Sequence, residues 1–220
     1  MSSCSTESYN SEQLLVDEAN QNLPNQSDIN VLSSFINQDV YQIAYYTVSQ
    51  MCSKDIDWAF HLVKTNMEQY YRQSRDMGWL DASKYKEMTE EDARYIVLIL
   101  KSSQTPVGFI HCRFTIDDDL DPITHEQTQL AVIYCYEIQL DTLVQRKGLG
   151  RALMTAMESL GRLHQMQKCK LTVFKHNPTA MAFYTSIGYV VDCTSPSMHM
   201  SEKRASRVSY EIMSKRLLDT

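Results

Sequence analysis

Apolar positions along this chain follow a helical period in some stretches and run continuously or alternate in others. Ala59, Phe60, Leu62, Val63, Met67, Tyr70 and Tyr71 recur near helical spacing, which predicts a long helix over 55–75, capped by Asp55 or Asp57 and ended at Gly78-Trp79. Leu149, Leu153, Met154, Met157 and Leu160 predict an amphipathic helix reaching about His164, and 177–187 predicts another, closed by Gly188. Thr89-Glu90-Glu91-Asp92 resembles a capping box opening a very short helix. Strand signals occupy 94–100 and 107–114, joined as a hairpin by Ser102-Ser103-Gln104-Thr105-Pro106, and then 131–140, 170–174, 189–191 and 208–213. Asp117-Asp118-Asp119-Leu120-Asp121-Pro122 reads as an acidic loop, and a long loop begins at Thr194. Residues 1 to about 30 are rich in Ser, Asn, Gln and Glu and predict a loosely attached arm. Residues 31–52 predict a partly helical or docking segment, so that 1–52 form an N-terminal extension and 53–220 one domain. A meander of strands followed by βαβ crossovers predicts an α/β (α+β) fold: a mixed central sheet flanked by helices, with the C-terminal strand at one edge.

Composition narrows this picture only a little. The chain has 220 residues and is 43% hydrophobic, enough for a packed core. No apolar run reaches the roughly 18 residues of a membrane span, and no signal-peptide pattern opens the chain, so neither a membrane nor secretion is expected. Cys4, Cys52, Cys112, Cys135, Cys169 and Cys193 are scattered without a CxxC pair and predict reduced thiols. A net charge of -6 argues against direct nucleic-acid binding and leaves room for a basic partner; ordinary solubility explains the same charge equally well.

The candidate chemistry centres on Gln145-Arg146-Lys147-Gly148-Leu149-Gly150, which lies between a strand signal and a helical pattern. The first N–H groups of a helix lack intrahelical partners and the helix dipole favours an anion there, while glycine lets a phosphate approach the main chain. The pattern is neither GxGxxG nor GxxxxGK[ST]. Upstream, Glu137 lies in the apolar run Val132-Ile133-Tyr134-Cys135-Tyr136-Glu137-Ile138-Gln139-Leu140. Desolvation there would raise its pKa toward that of a general base, and a partnered structural carboxylate is the equal alternative. Cys135 has apolar and acidic neighbours that make a poor nucleophile, so it reads as core. His176 has no second ligand at metal spacing, and no metal is expected.

Together, the glycine turn and Asn177…Ala182-Phe183-Tyr184…Gly188-Tyr189 resemble the GNAT superfamily of acyl-CoA-dependent N-acetyltransferases. Tyr134-Cys135-Tyr136-Glu137-Ile138-Gln139-Leu140, Arg146-Lys147-Gly148-Leu149-Gly150, Leu171-Thr172-Val173-Phe174-Lys175-His176-Asn177, Ser195-Pro196-Ser197-Met198 and Tyr210-Glu211-Ile212 further resemble the NatD family within it. That resemblance spans about 57–216. It implies a GNAT fold, acetyl-CoA as co-substrate, and the N-terminal serine amine of histone H4 and the 2A class of histones as acceptor, attacked directly in a ternary complex. It implies Glu137 as base through water, Tyr136 as an orienting or relay group, and Tyr184 as general acid for the leaving thiolate. Coenzyme contacts would come from Ile138, Gln139, Leu140, Gln145, Arg146, Lys147, Gly148, Leu149, Gly150, Arg151 and Asn177. Tyr71, Trp79, Tyr134, Thr172, Thr194 and Tyr210 correspond to positions lining the peptide groove. Thr115 replaces an aspartate that relatives carry, and Asp117 is the substitute reader of the substrate arginine. A monomer of the nucleus and cytoplasm is expected. Lysine acetylation and a non-catalytic CoA- or peptide-binding module are the alternatives.

Overall fold

The computed structural model describes residues 4–120, 124 and 126–218. In chain order the elements are helix α1 (Cys4–Gln21), helix α2 (Gln26–Ser33), strand β1 (Tyr41–Thr47), helix α3 (Ser53–Gln73), helix α4 (Asp81–Met88), strand β2 (Arg94–Leu100), strand β3 (Thr105–Leu120), strand β4 (Gln127–Leu140), helix α5 (Leu149–Leu163), strand β5 (Lys168–Phe174), helix α6 (Pro178–Ser186), strand β6 (Val190–Val191), the short helices α7 (Pro196–His199) and α8 (Glu202–Ala205), and strand β7 (Tyr210–Arg216). The strands form one sheet in the order β1-β2-β3-β4-β5-β7-β6. The β1–β2, β2–β3, β5–β7 and β6–β7 pairs are antiparallel, and α5 supplies the crossover from β4 to β5. This is the mixed α/β architecture expected.

Several local expectations are corrected. The polar N-terminal stretch is a helix, not a loose arm: Val16 and Ala19 of α1 are buried, and Glu12 accepts from the Ala131 amide at 3.2 Å. Ile43, Ala44 and Tyr45 belong to a strand paired along β2, not to a helical segment. Thr89-Glu90-Glu91-Asp92 opens no helix; Thr89 caps the C-terminus of α4, and its hydroxyl donates to the Tyr85 carbonyl. Asp117, Asp118, Asp119 and Leu120 continue strand β3, while Asp121 and Pro122 lie outside the described residues. The C-terminal strand β7 sits inside the sheet between β5 and β6, so β6 takes the edge.

The chain divides into two compact units, each assembled from separated stretches. The first, residues 24–113 and 135–160, contains the glycine turn. Its core sets Ile56, Ala59, Phe60 and Val63, from one face of α3, against Met88, Ala93, Tyr95, Val97 and Phe109. That face is apolar because the sequence repeats at helical spacing, and its burial is what holds the helix, since packing of an amphipathic face supplies most of a helix's stability in a protein. The second, the carboxy-terminal unit, comprises residues 1–23, 114–134 and 161–220. There Leu171, Val173 and Met213 are buried on paired strands, and Leu217 follows β7 into the core.

Candidate active site

Strand periodicity decides what faces what along β4. Cys135, Glu137 and Gln139 share one face and are buried, while Tyr134, Tyr136, Ile138 and Leu140 lie on the other and are more accessible. In the glycine-turn unit, Glu137 is only 5% exposed, yet its surroundings are not the apolar ones that its neighbours in sequence suggest. Lys84 Nζ donates to Glu137 Oε1 at 3.1 Å, and Gln139 Nε2 donates to Glu137 Oε2 at 2.8 Å. The side chain of Gln139 therefore orients the carboxylate. Asn66 Nδ2 fixes Gln139 in turn, at 3.0 Å from its Oε1.

Lys84 is the residue that sequence reasoning missed. It lies on α4, is 7% exposed, and donates also to Tyr71 Oη at 2.8 Å and Glu87 Oε1 at 2.7 Å. Burial opposes its charge, but Glu137, Tyr71 and Glu87 outweigh burial and raise the ammonium above the ordinary lysine value. Burial, reinforced by Glu137, pushes the Tyr71 phenol up to about 12, so its hydroxyl stays protonated at neutral pH. The Tyr71 ring meets the Trp79 ring edge-on at 5.3 Å, bringing together two residues expected to touch a peptide. Trp79 Nε1 donates to Asp81 Oδ1 at 2.6 Å at the start of α4.

Tyr136 is 37% exposed and lies at the end of an aromatic stack. Its ring stacks on buried His111 at 5.1 Å, His111 stacks on Tyr95 at 5.2 Å, and the Arg113 guanidinium covers Tyr136 at 4.3 Å. Such a cation–π lid fixes the ring. Among the described residues neither His111 ring nitrogen has a hydrogen-bond partner, and burial, aided by Arg113 and Lys84, holds its pKa well below the ordinary histidine value.

The glycine turn of this unit leads straight into α5. Gly148 has φ +79 and Arg146 φ +61, backbone values that curl the chain before the helix. A Cβ built on Gly148 would meet nothing within 4 Å, so the main chain there is open to an approaching group. Gln145, Arg146, Lys147 and Arg151 are exposed around it, and Gln145 Nε2 ties the turn back to the Leu140 carbonyl at 3.1 Å. An open glycine turn at the N-terminus of a helix suits a pyrophosphate.

The carboxy-terminal unit holds the other expected site residues. The hydroxyls of Tyr134 and Thr172 are hydrogen-bonded at 2.6 Å. Asn177 Oδ1 accepts from the Ala180 amide at 3.1 Å, which commits it to capping α6. Tyr184 is buried within α6, 6.0 Å from the Tyr189 ring. Asp117 and Thr194 meet on Lys170, whose Nζ lies 2.6 Å from Asp117 Oδ2 and 3.0 Å from Thr194 Oγ1. Asp117 would therefore have to share its carboxylate to read a substrate arginine. Tyr210 opens β7 beside Glu211, which accepts from Ser195 at 2.5 Å and Ser197 at 2.6 Å and pairs with Lys175 at 3.1 Å. These bonds fix the Ser195-Pro196-Ser197 segment. Asp119, Asp192 and Cys193 have ligand atoms within 4.8 Å of one another. The ammonium of Lys168 lies 2.6 Å from Asp119 and 3.3 Å from Asp192.

A buried, oriented carboxylate on the strand before an open helix-capping turn suits acyl transfer from a phosphate-bearing carrier. The model of the Acetyltransferase (GNAT) family matches residues 59–189, and the chain belongs to that family. A stretch of 78 residues is 32% identical to the uncharacterized protein YdhI of Bacillus subtilis, covering 36% of this chain and 47% of YdhI. The chain thus spans less than half the length of the curated relatives it matches. Among solved structures, the fold is similar to that of the ribosomal-protein-S18-alanine N-acetyltransferase from Escherichia coli (TM-score 0.52, 17% identity, covering 81% of this chain and 96% of that one). It is also similar to the PaiA N-acetyltransferase from Thermoplasma acidophilum, solved in complex with coenzyme A (TM-score 0.53, 16% identity, covering 80% and 98%).

Proposed function

We propose that this chain transfers acetyl from acetyl-CoA to the N-terminal serine amine of histone H4 and the 2A class of histones, acting as a monomer in the nucleus and cytoplasm. The observation that carries the reading is Glu137, a buried carboxylate with both oxygens oriented, on the strand that feeds the open glycine turn. The family's activity and the coenzyme bound in a structural neighbour support the choice of donor. The α-amine acceptor and the histone tail rest on the resemblance to NatD.

In this reading, Gln145 to Arg151 hold the pyrophosphate through backbone N–H groups and cationic side chains. Acetyl-CoA supplies a thioester, whose carbonyl carbon is the electrophile. An α-amine has a pKa of about 7.7–8.0, so it must give up a proton to attack at neutral pH. Glu137 accepts that proton through a water molecule. The new N–C bond forms as the C–S bond breaks, and backbone N–H groups near Ile138 to Leu140 stabilise the developing oxyanion. The departing thiolate takes a proton, for which Tyr184 is the assigned donor. Tyr71 and Trp79 offer an aromatic wall for the first residues of the peptide, and Tyr136 orients it.

Incubating the purified protein with acetyl-CoA and a Ser-Gly-Arg-Gly-Lys peptide tests this. A free N-terminus should be acetylated and a blocked one should not. Acetylation of the blocked peptide would move the assignment to lysine, and binding of coenzyme without turnover on either peptide would favour a non-catalytic module.

A further inference from the structure

We propose that Lys84 is a positioning residue for the transfer, one that fixes the charge and orientation of Glu137 while being fixed itself by Tyr71 and Glu87. The inference rests on the reading of Glu137 as the base. An ammonium has three N–H donors, and Lys84 points them at three acceptors: Tyr71 Oη, Glu87 Oε1 and Glu137 Oε1. None is left for a substrate or an acetyl oxygen, so Lys84 acts through Glu137. The Glu137 carboxylate is not saturated in the same way. Each of its oxygens accepts one of these bonds, and a carboxylate offers about four lone-pair sites, so acceptor capacity remains for the water that relays the substrate proton.

An ammonium 3.1 Å away holds the carboxylate in a single orientation. Lys84 also links the base to the peptide wall. Its Nζ lies 4.7 Å from the centroid of the Tyr71 ring, and that ring packs on Trp79. A purely structural ion pair would account for the burial of Lys84. It would not require the pH dependence of turnover to follow the charge at position 84.

The test uses the full chain with Lys84→Met, which removes the charge and keeps the stem, and Lys84→Arg, which keeps the charge. Titration of Glu137 is followed by carbon-detected NMR of glutamate-labelled protein, with Glu137→Gln assigning the signal. The acid limb of kcat against pH is measured with acetyl-CoA and the Ser-Gly-Arg-Gly-Lys peptide. In Lys84→Met both readouts should change from those of the parent, and Lys84→Arg should bring them most of the way back. Coenzyme affinity should stay within about twofold of the parent, because the glycine turn is untouched. An unmoved titration, or a moved titration with an unmoved limb, overturns the proposal. So does a lowered melting temperature with neither moved. If the parent protein leaves the free peptide unacetylated, the acceptor reading falls, and the NMR titration alone then decides whether Lys84 sets the charge of Glu137. Lys84→Gln carries the same measurements if Lys84→Met does not fold.

Discussion

Each unit buries lysines among carboxylates, and the two clusters are arranged to opposite ends. In the glycine-turn unit, one ammonium serves Glu137 and Glu87, and the carboxylate of interest keeps spare lone pairs. In the carboxy-terminal unit, Lys168 and Lys170 are matched against Asp117, Asp119 and Asp192, and Asp192 is bonded from further sides. Thr194 donates to Asp192 through both its amide and its hydroxyl, and Cys193 donates to Asp119 at 2.8 Å. Burial raises the Asp192 pKa, but hydrogen bonds from Ser214 and Thr194 and the charge of Lys170 outweigh it and hold that carboxyl below the usual carboxylate range. A carboxylate bonded from as many sides as Asp192 ties strands together and has little left to exchange. An unsaturated carboxylate beside a fixed cation can take and return a proton. The composition of a buried charge cluster therefore says less about its purpose than how many of its lone pairs remain open.

Glu137→Gln should separate the two clusters most sharply. The amide is nearly isosteric, so the fold should persist while kcat falls by roughly 10²- to 10⁴-fold with little change in coenzyme affinity. Turnover within a few-fold of the parent in a steady-state assay would remove Glu137 as base. The matching change in the carboxy-terminal network is Lys170→Met. Lys170 is 1% exposed, and its loss leaves Asp117 without its ammonium and Asp192 with Lys168 alone. Breaking a buried pair from one side costs about 3–5 kcal/mol, so urea unfolding should show a loss of that order. A loss below about 1 kcal/mol would mean the network is hydrated and the contrast between the clusters is false.

Where the sequence misled, the cause was a partner distant along the chain. The aspartates at 117–119 looked like a solvated loop because a local pattern cannot show Lys168 and Lys170 waiting to neutralise them inside a sheet. Helix α4 was missed because Lys84 and Met88 are its only buried residues, and the lysine is polar. The same side chain hid the surroundings of Glu137, which read as apolar from its neighbours in sequence. That the side chain of Gln139 donates to the Glu137 carboxylate was likewise hidden from the local pattern. The glycine turn, by contrast, was legible in place, because positive φ and open backbone are local demands that glycine meets by itself. The long helices were legible for a similar reason, since a repeating apolar face announces its own burial.

Gly148→Ala is expected to have a smaller effect than either charge change, and of a different kind. A Cβ there meets no neighbour, so the cost is the left-handed backbone, roughly 1–2 kcal/mol for an L-residue. The methyl group would also stand where a phosphate approaches, and calorimetry should show coenzyme binding weakened by about tenfold with kcat at saturation nearly intact. A fall in kcat at unchanged affinity would place the turn in the chemical step and blur its separation from Glu137.

The smallest effect tests whether the units differ in acid sensitivity as their clusters differ in saturation. His111 is buried and neutral, with a folded-state pKa well below 6.5, whereas an exposed histidine of the unfolded chain titrates near 6.5. The unfolded state therefore binds the extra proton below about pH 6.5. Stability should fall as pH drops through that window and be flat with respect to this group above it, with a limiting slope of about 1.4 kcal/mol per pH unit. Asp192 has the depressed value of a partnered carboxylate, so its contribution is present above the unfolded value near 3.9 and is lost only as pH falls below it. Hydrogen exchange between pH 7 and 5 should thus speed up for amides of β2 and its β3 partners around His111 before it does for β5 and β7, after correction for intrinsic rates. His111→Phe, which keeps the stack between Tyr95 and Tyr136 and removes the titrating group, should flatten the first response and leave the second unchanged. Equal acid sensitivity in both regions, surviving in His111→Phe, would show that the buried imidazole does not govern the acid response of its unit.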